Sequence, residues 1–235
     1  MALPQINTSP KYNGTIPSTG VQYTYRPFLV KEQKVLLIAL ESRDEKAILQ
    51  SVVDTIEACT YEDINVNELA TFDVEYMFTQ IRAKSAGETT KVSIKCSECE
   101  EYTDIIVALD KIEIEVPKGE NSIQLTDQYT VKMRYPSYKH LATITELESN
   151  TLTESMYEMI VACLDSLQTE DDNISFLDES RKDIDTFLNN LNGDQFDKLV
   201  KFVTDLPKME HDIVFDCQSC GANNTQVLQG IQDFF

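Results

Sequence analysis

Four of the six cysteines stand in two pairs with two residues between the partners, Cys96-Ser97-Glu98-Cys99 and Cys217-Gln218-Ser219-Cys220. That spacing lets both thiolates of a pair turn towards one cation. Two such pairs fill the tetrahedral shell of zinc at Zn–S distances near ~2.3 Å. Gly221, directly after the second pair, suits a knuckle whose backbone turns with positive φ. Each first cysteine ends an alternating strand: Val92, Ile94 and Cys96 in one case, Ile213, Phe215 and Cys217 in the other. The expected metal ligands are therefore Cys96, Cys99, Cys217 and Cys220, and the expected cofactor is one structural zinc. Because 117 residues lie between Cys99 and Cys217, this is not a compact zinc ribbon but a staple between distant chain segments. A complete four-thiolate shell leaves no position for a catalytic water. Cysteine pairs without metal and thiol–disulfide exchange are the alternatives. Exchange is disfavoured because Glu98, Glu100, Glu101 and Asp216 crowd the pairs, and negative neighbours raise a thiol pKa.

The other candidates for chemistry are weak. Cys59 and Cys163 lie on apolar helical stripes and read as core residues. His211 stands six residues before Cys217 and could be a spare ligand, but a surface or hydrogen-bonded role fits it and His140 better. The acidic run from Gln168 to Asp172 lacks the spacing of a metal loop. There is no glycine-rich phosphate cradle, nucleophile elbow or dinucleotide fingerprint. The expectation is a protein that is not an enzyme and takes no small-molecule substrate.

Charge narrows the class further. Forty acidic against twenty basic residues give a net charge of −20, which argues against general binding of nucleic acid or of an anionic membrane, since both need a cationic face. A hydrophobic content of 42% argues against disorder. A chain of 235 residues is long enough to fold without a disulfide framework. The first twenty residues carry no basic lead and no apolar run, so no signal peptide is expected. The longest apolar run, Val35 to Leu40, falls far short of the ~20 residues of a membrane span. A reducing cytoplasm follows as the expected compartment, and there cysteines serve as thiols or ligands.

These side chains need elements to position them. Residues 1 to 11 read as a loose arm. Residues 12 to 28 read as a hairpin, with Tyr23 and Tyr25 alternating and Pro17-Ser18-Thr19-Gly20 as the turn. Helices are expected over about Val30 to Leu40, over Asp44 to Cys59 (stripe Ile48, Val52, Ile56, Cys59), and over Phe72 to Lys84 (stripe Val74, Met77, Phe78, Ile81). The first cysteine hairpin follows, returning through Ile105, Val107 and Leu109. Strands are expected near Lys111 to Val116 and Tyr129 to Tyr135. Thr151 and Glu154 form a capping box for a helix with the stripe Met156, Ile160, Cys163, Leu164 and Leu167. Ile184, Phe187, Leu188 and Leu191 mark another helix, and Phe196, Leu199, Val200, Val203 and Leu206 the last. The chain then forms the second cysteine hairpin and ends in an apolar tail, Ile231 to Phe235. The aromatic residues Tyr12, Tyr23, Tyr25 and Phe28, with Phe234 and Phe235, either cover the core or anchor a partner.

The halves echo each other. Val74, Met77, Phe78 and Ile81 match Phe196, Leu199, Val200 and Val203 at an offset of 122, and Val92, Ile94, Cys96 and Cys99 match Ile213, Phe215, Cys217 and Cys220 at 121. Upstream the match is looser: Tyr25-Arg26-Pro27 faces Arg134-Tyr135-Pro136, and Ala58-Cys59 faces Ala162-Cys163. A helix stripe, a strand alternation and a metal motif recurring in one order point to a repeat. The expected fold is α+β, with two pseudo-repeated halves, residues 1–110 and 111–235. Each half carries helices plus a β-hairpin zinc knuckle, and the four-cysteine site joins them.

Two stretches carry a resemblance. Tyr25-Arg26-Pro27-Phe28-Leu29-Val30-Lys31-Glu32-Gln33-Lys34, after its Pro-Ser-Thr-Gly turn, and Phe72 through Ser85 resemble the baseplate hub subunit and hub-assembly proteins of T-even-type contractile-tailed bacteriophages. The likeness is best over about the first 95 residues. It implies a part in viral morphogenesis: building the tail baseplate hub in the infected host's cytoplasm, bound to other hub and tail proteins, with retention in the finished virion left open. It implies no active site. The rival readings are a zinc-ribbon regulator of polymerase or nucleic acid, and a CxxC thiol–disulfide protein.

Overall fold

The computed structural model describes residues 9–112, 114–117, 121–140 and 151–230. The arm's first eight residues and the tail from Ile231 to Phe235 lie outside them. The chain is α+β, with helices and small antiparallel sheets. It forms two compact units: residues up to 116 together with those from 208 onward, and residues 117–207. The expected halves divide the chain by sequence order at 110/111. The compact units divide it by packing, and the segment from 208 rejoins the first unit.

In the first unit, strands β1 (Tyr12–Thr15) and β2 (Gln22–Tyr25) form the expected hairpin. Gly20, at φ 71°, closes its turn. The Asp73 carboxylate ties the turn down by accepting from the Ser18 amide at 2.9 Å and from its hydroxyl at 2.5 Å. Tyr23 and Tyr25 are buried, so these aromatics cover the core. Helix α1 (Val30–Ser42) opens where Glu32 accepts from the Leu29 amide at 2.8 Å. Helix α2 (Glu45–Cys59) is capped by Asp44, which accepts from the amides of Lys46 and Ala47. In helix α3 (Thr71–Ala86) the stripe Val74, Met77, Phe78 and Ile81 is fully buried, as the 3–4 spacing requires.

Strands β3 (Thr89–Lys95) and β4 (Tyr102–Ala108) form the first cysteine hairpin. Among the described residues from Lys111 to Val116, no strand forms where one is expected. A 3₁₀ turn occupies Leu109–Lys111, and Leu109 and Ile112 plug the core beneath the hairpin. Ile112 is buried, and Ile114 and Val116 are half-buried, in the spacing of a strand, but these described residues join no ladder.

In the second unit, β5 (Ser122–Gln124), β6 (Thr130–Met133), β7 (Leu164–Gln168) and β8 (Asn173–Ser175) build one antiparallel sheet in that order. Helix α4 (Leu152–Cys163) has the expected Thr151–Glu154 capping box. It ends earlier than its apolar stripe suggests: Leu164 and Leu167 belong to β7, which starts without a loop and pairs Leu164 with Met133. Residues 169–172 of the acidic run form the tight turn between β7 and β8. Helices α5 (Arg181–Asn189) and α6 (Gly193–Thr204) close the core, with Leu188, Leu199 and Val203 packed on Ile160, Cys163 and Val131. Leu206 lies just beyond α6. Strands β9 (Glu210–Asp216) and β10 (Asn223–Gln229), the second cysteine hairpin, then return to the first unit.

Local connections recur between distant segments. The Arg26 amide donates to the Cys59 carbonyl at 2.9 Å and its guanidinium to the Ala58 carbonyl at 2.7 Å. The Arg134 amide donates to the Cys163 carbonyl at 2.7 Å and its Nε to the Ala162 carbonyl at 3.0 Å. In both cases an arginine after a hairpin strand ties that strand to the C-terminal carbonyls of a helix, which otherwise lack partners.

Candidate metal centre

The two cysteine hairpins have equal strands, and each strand residue of the first lies 121 positions before its counterpart in the second. Each tip closes in the same way. The Cys96 amide donates to the Glu101 carbonyl at 2.9 Å, and the Cys217 amide to the Ala222 carbonyl at 2.8 Å. The return bonds run from Glu100 to Cys96 and from Gly221 to Cys217. Such a turn needs a left-handed residue. Gly221 adopts φ 75° without strain, whereas Glu100 adopts φ 62° and carries a Cβ into that region.

Both tips meet in the first unit and bring together all four expected residues. Cys96 Sγ lies 3.7 Å from Cys220 Sγ, and Cys99 Sγ lies 3.6 Å from Cys217 Sγ. All four sulfurs fall within 4.8 Å of one another. A regular tetrahedron with Zn–S bonds near 2.3 Å has S···S edges of about 3.8 Å, so the cluster has the dimensions of a four-thiolate shell. None of the four is in a disulfide. Cys96 and Cys217 are buried, Cys99 is half-buried and Cys220 is exposed.

The surroundings favour thiolate at the first cysteine of each pair. The amides of Glu98 and Ser219 donate to Cys96 Sγ and Cys217 Sγ, both at 3.4 Å. Backbone N–H groups of Cys220 and Ser219 hold the Cys217 thiol down at about 6, and those of Cys99 and Glu98 lower that of Cys96. The second cysteines behave oppositely. At Cys99 the Glu101 amide favours thiolate, but hydrogen bonding with Cys220 and its other sulfur neighbours outweighs it and pushes the thiol up to about 12. Four sulfurs this close cannot all be anionic without a cation among them. That is the donor set a soft divalent ion requires.

Two residues that spacing did not flag lock the hairpins to each other. Asn224 of β10 accepts from the Ser97 amide and hydroxyl, each at 2.9 Å, and its Nδ2 donates to the Ala222 carbonyl at 2.8 Å and to Cys96 Sγ at 3.5 Å. In the opposite direction, Thr103 of β4 accepts from the Gln218 amide at 3.4 Å. The offset of 121 that relates the cysteines also relates these two, which is the signal that could have found them.

The remaining candidates are not among the clustered side chains. His211 sits on β9 opposite Leu228, and His140 Nδ1 is 2.7 Å from the Ser137 hydroxyl. Burial pushes the Cys59 thiol up to about 11 and that of Cys163 up to about 12, so both behave as apolar core groups. No helix among the described residues is long and apolar enough to cross a membrane.

A family model described as T4 bacteriophage base plate protein matches residues 9–235. No curated protein and no solved structure matched the chain.

Proposed function

The chain belongs to the family of T4 bacteriophage base plate proteins, and from that premise we propose that it acts at the central hub of the tail baseplate, as a hub component or an assembly chaperone. It works by binding other hub and tail proteins in the infected host's cytoplasm, without catalysis. The observation that carries the baseplate role is the family match over nearly the whole chain.

In this reading Cys96, Cys99, Cys217 and Cys220 hold one structural zinc. Sulfur separations of 3.6 and 3.7 Å, near the edge of a zinc–thiolate tetrahedron, support it. The ion would supply the positive charge that lets four thiolates share one site, and it would clamp a segment near residue 97 to one near residue 218. The two hairpins, with their common offset, are then zinc knuckles of two related halves, 1–110 and 111–235. The paired roles of Arg26 and Arg134, one residue out of the expected register, support that repeat.

A regulator of polymerase or nucleic acid would need a basic stripe beside the knuckles. The lysines there are paired within their own hairpin, Lys91 with Asp104 at 2.6 Å and Lys95 with Glu100 at 3.0 Å. The deciding experiment is affinity capture of tagged chain from infected cells. Baseplate hub proteins are expected in the eluate, and recovery of host polymerase alone would transfer the assignment to the regulator.

A further inference from the structure

Helix α1 is apolar on more sides than its place in the fold uses. It packs through Glu32, Leu36 and Ala39, which are buried. The opposite side carries Val30, Lys34, Leu37, Ile38 and Glu41, all exposed at helical spacing of 4, 3, 1 and 3. Val30 is 79% exposed, Leu37 52% and Ile38 56%, and Val35 and Leu40 flank them, also exposed. A cluster of this kind on a helix face marks an interaction surface.

The charges on the same face identify the occupant. Lys34 stands in the second turn and Glu41 in the last turn, where an acid is misplaced with respect to the helix dipole, which favours bases at that end. Neither side chain makes an ion pair or hydrogen bond among the described residues. The order is self-complementary. If a second α1 lies antiparallel, with a twofold axis between Leu37 and Ile38, then Lys34 faces the second copy's Glu41 and Glu41 faces its Lys34. Leu37 then packs against Ile38 at the centre, and the two dipoles oppose each other favourably. We propose that α1 is a homodimerisation helix that pairs antiparallel with α1 of a second copy of this chain. One helix pair is a small interface, and the net charge of −20 on each copy opposes association within the screening length, so the dimer dissociates on dilution. The proposal is independent of the metal and of the hub assignment.

Sedimentation of the full chain at several concentrations tests it. The expected result is a reversible equilibrium between the 26.7 kDa chain and a species of twice that mass. Leu37→Glu, at an exposed position that leaves helicity and melting unchanged, should abolish the larger species. Lys34→Glu or Glu41→Lys alone should weaken the dimer about tenfold, since each creates two like-charge contacts. The double exchange Lys34→Glu/Glu41→Lys should restore it. A monomer at all concentrations, a dimer that survives Leu37→Glu, or a double exchange without rescue would overturn the proposal. A monomer whose α1 variants lose a hub protein in the capture experiment would also overturn it and assign the face to that protein.

Discussion

Thr103 and Asn224 lie 121 residues apart and do the same job for opposite hairpins: each side chain accepts the amide that follows the other hairpin's first cysteine. The exchange is reciprocal, like the contacts of an isologous dimer interface, yet both halves of it lie in one chain. The sulfurs repeat the relation, since the Cys96–Cys220 pair maps onto Cys217–Cys99. A cation at the centre would sit where four thiolates and two amide-lined tips converge.

Metal content is the first consequence. Elemental analysis of protein purified without chelator should give one zinc per chain, and zero or two would contradict a shared site. Cys217→Ser should lower stability by several kcal/mol, because structural zinc binding in small peptides is worth roughly 10–16 kcal/mol. Calorimetry before and after chelation reads both effects, and an unchanged melting curve in the variant would count against the staple.

The two cross-hairpin residues should differ in weight. Asn224→Ala removes four hydrogen bonds at a buried position, including the one to Cys96 Sγ, and strands the Ser97 amide. It should cost about 2–3 kcal/mol and weaken zinc binding by roughly 10- to 100-fold. Thr103→Val removes a single long contact and should cost about 1 kcal/mol or less. Competition against a chromophoric chelator measures the affinities, and equal losses in the two variants would contradict the geometry.

The tips also differ in strain. Glu100 holds φ 62° where the equivalent Gly221 holds φ 75°. Glu100→Gly should therefore stabilise the protein by about 1 kcal/mol, less whatever the exposed Lys95–Glu100 pair contributes, at most ~1 kcal/mol. Denaturant midpoints at high salt, where that pair is screened, should reveal the gain most clearly.

Glu75 sets a pH dependence. Burial alone raises its carboxyl from the ordinary 4.5 to about 7. The folded state thus binds a proton that the unfolded state has released between these values, and stability must fall as pH rises from about 4.5 to about 7, then level off. The loss amounts to about 3 kcal/mol. Glu75→Gln should remove that slope from a plot of unfolding free energy against pH, and a variant with the same slope as the parent would assign it elsewhere.

Much of this was legible without coordinates. The stripe in α3 is buried at every expected position, because 3.6-residue periodicity is a local property and the core only has to accept it. The four cysteines cluster, as two pairs sharing one cation would require, but the two-residue gap prescribes only the local turn within each pair. Misreadings arose where an apolar pattern was compatible with two structures. Leu164 and Leu167 continue the helical stripe of α4 and also alternate as a strand, and pairing with Met133 in β6 decided for the strand. Ile112, Ile114 and Val116 are spaced as in a strand, but among the described residues they pair with no other strand.

By itself, the order of residues determined the chemistry on offer: which side chains could bind a soft cation, which faces are apolar, and a charge that disfavours polyanions. Only the tertiary structure decided which distant groups meet, bringing residues from 208 onward back to the first unit and setting Asn224 against Ser97 and Cys96. Spacing along a chain constrains neighbours within a few residues, whereas contact across 121 residues depends on how every intervening element packs.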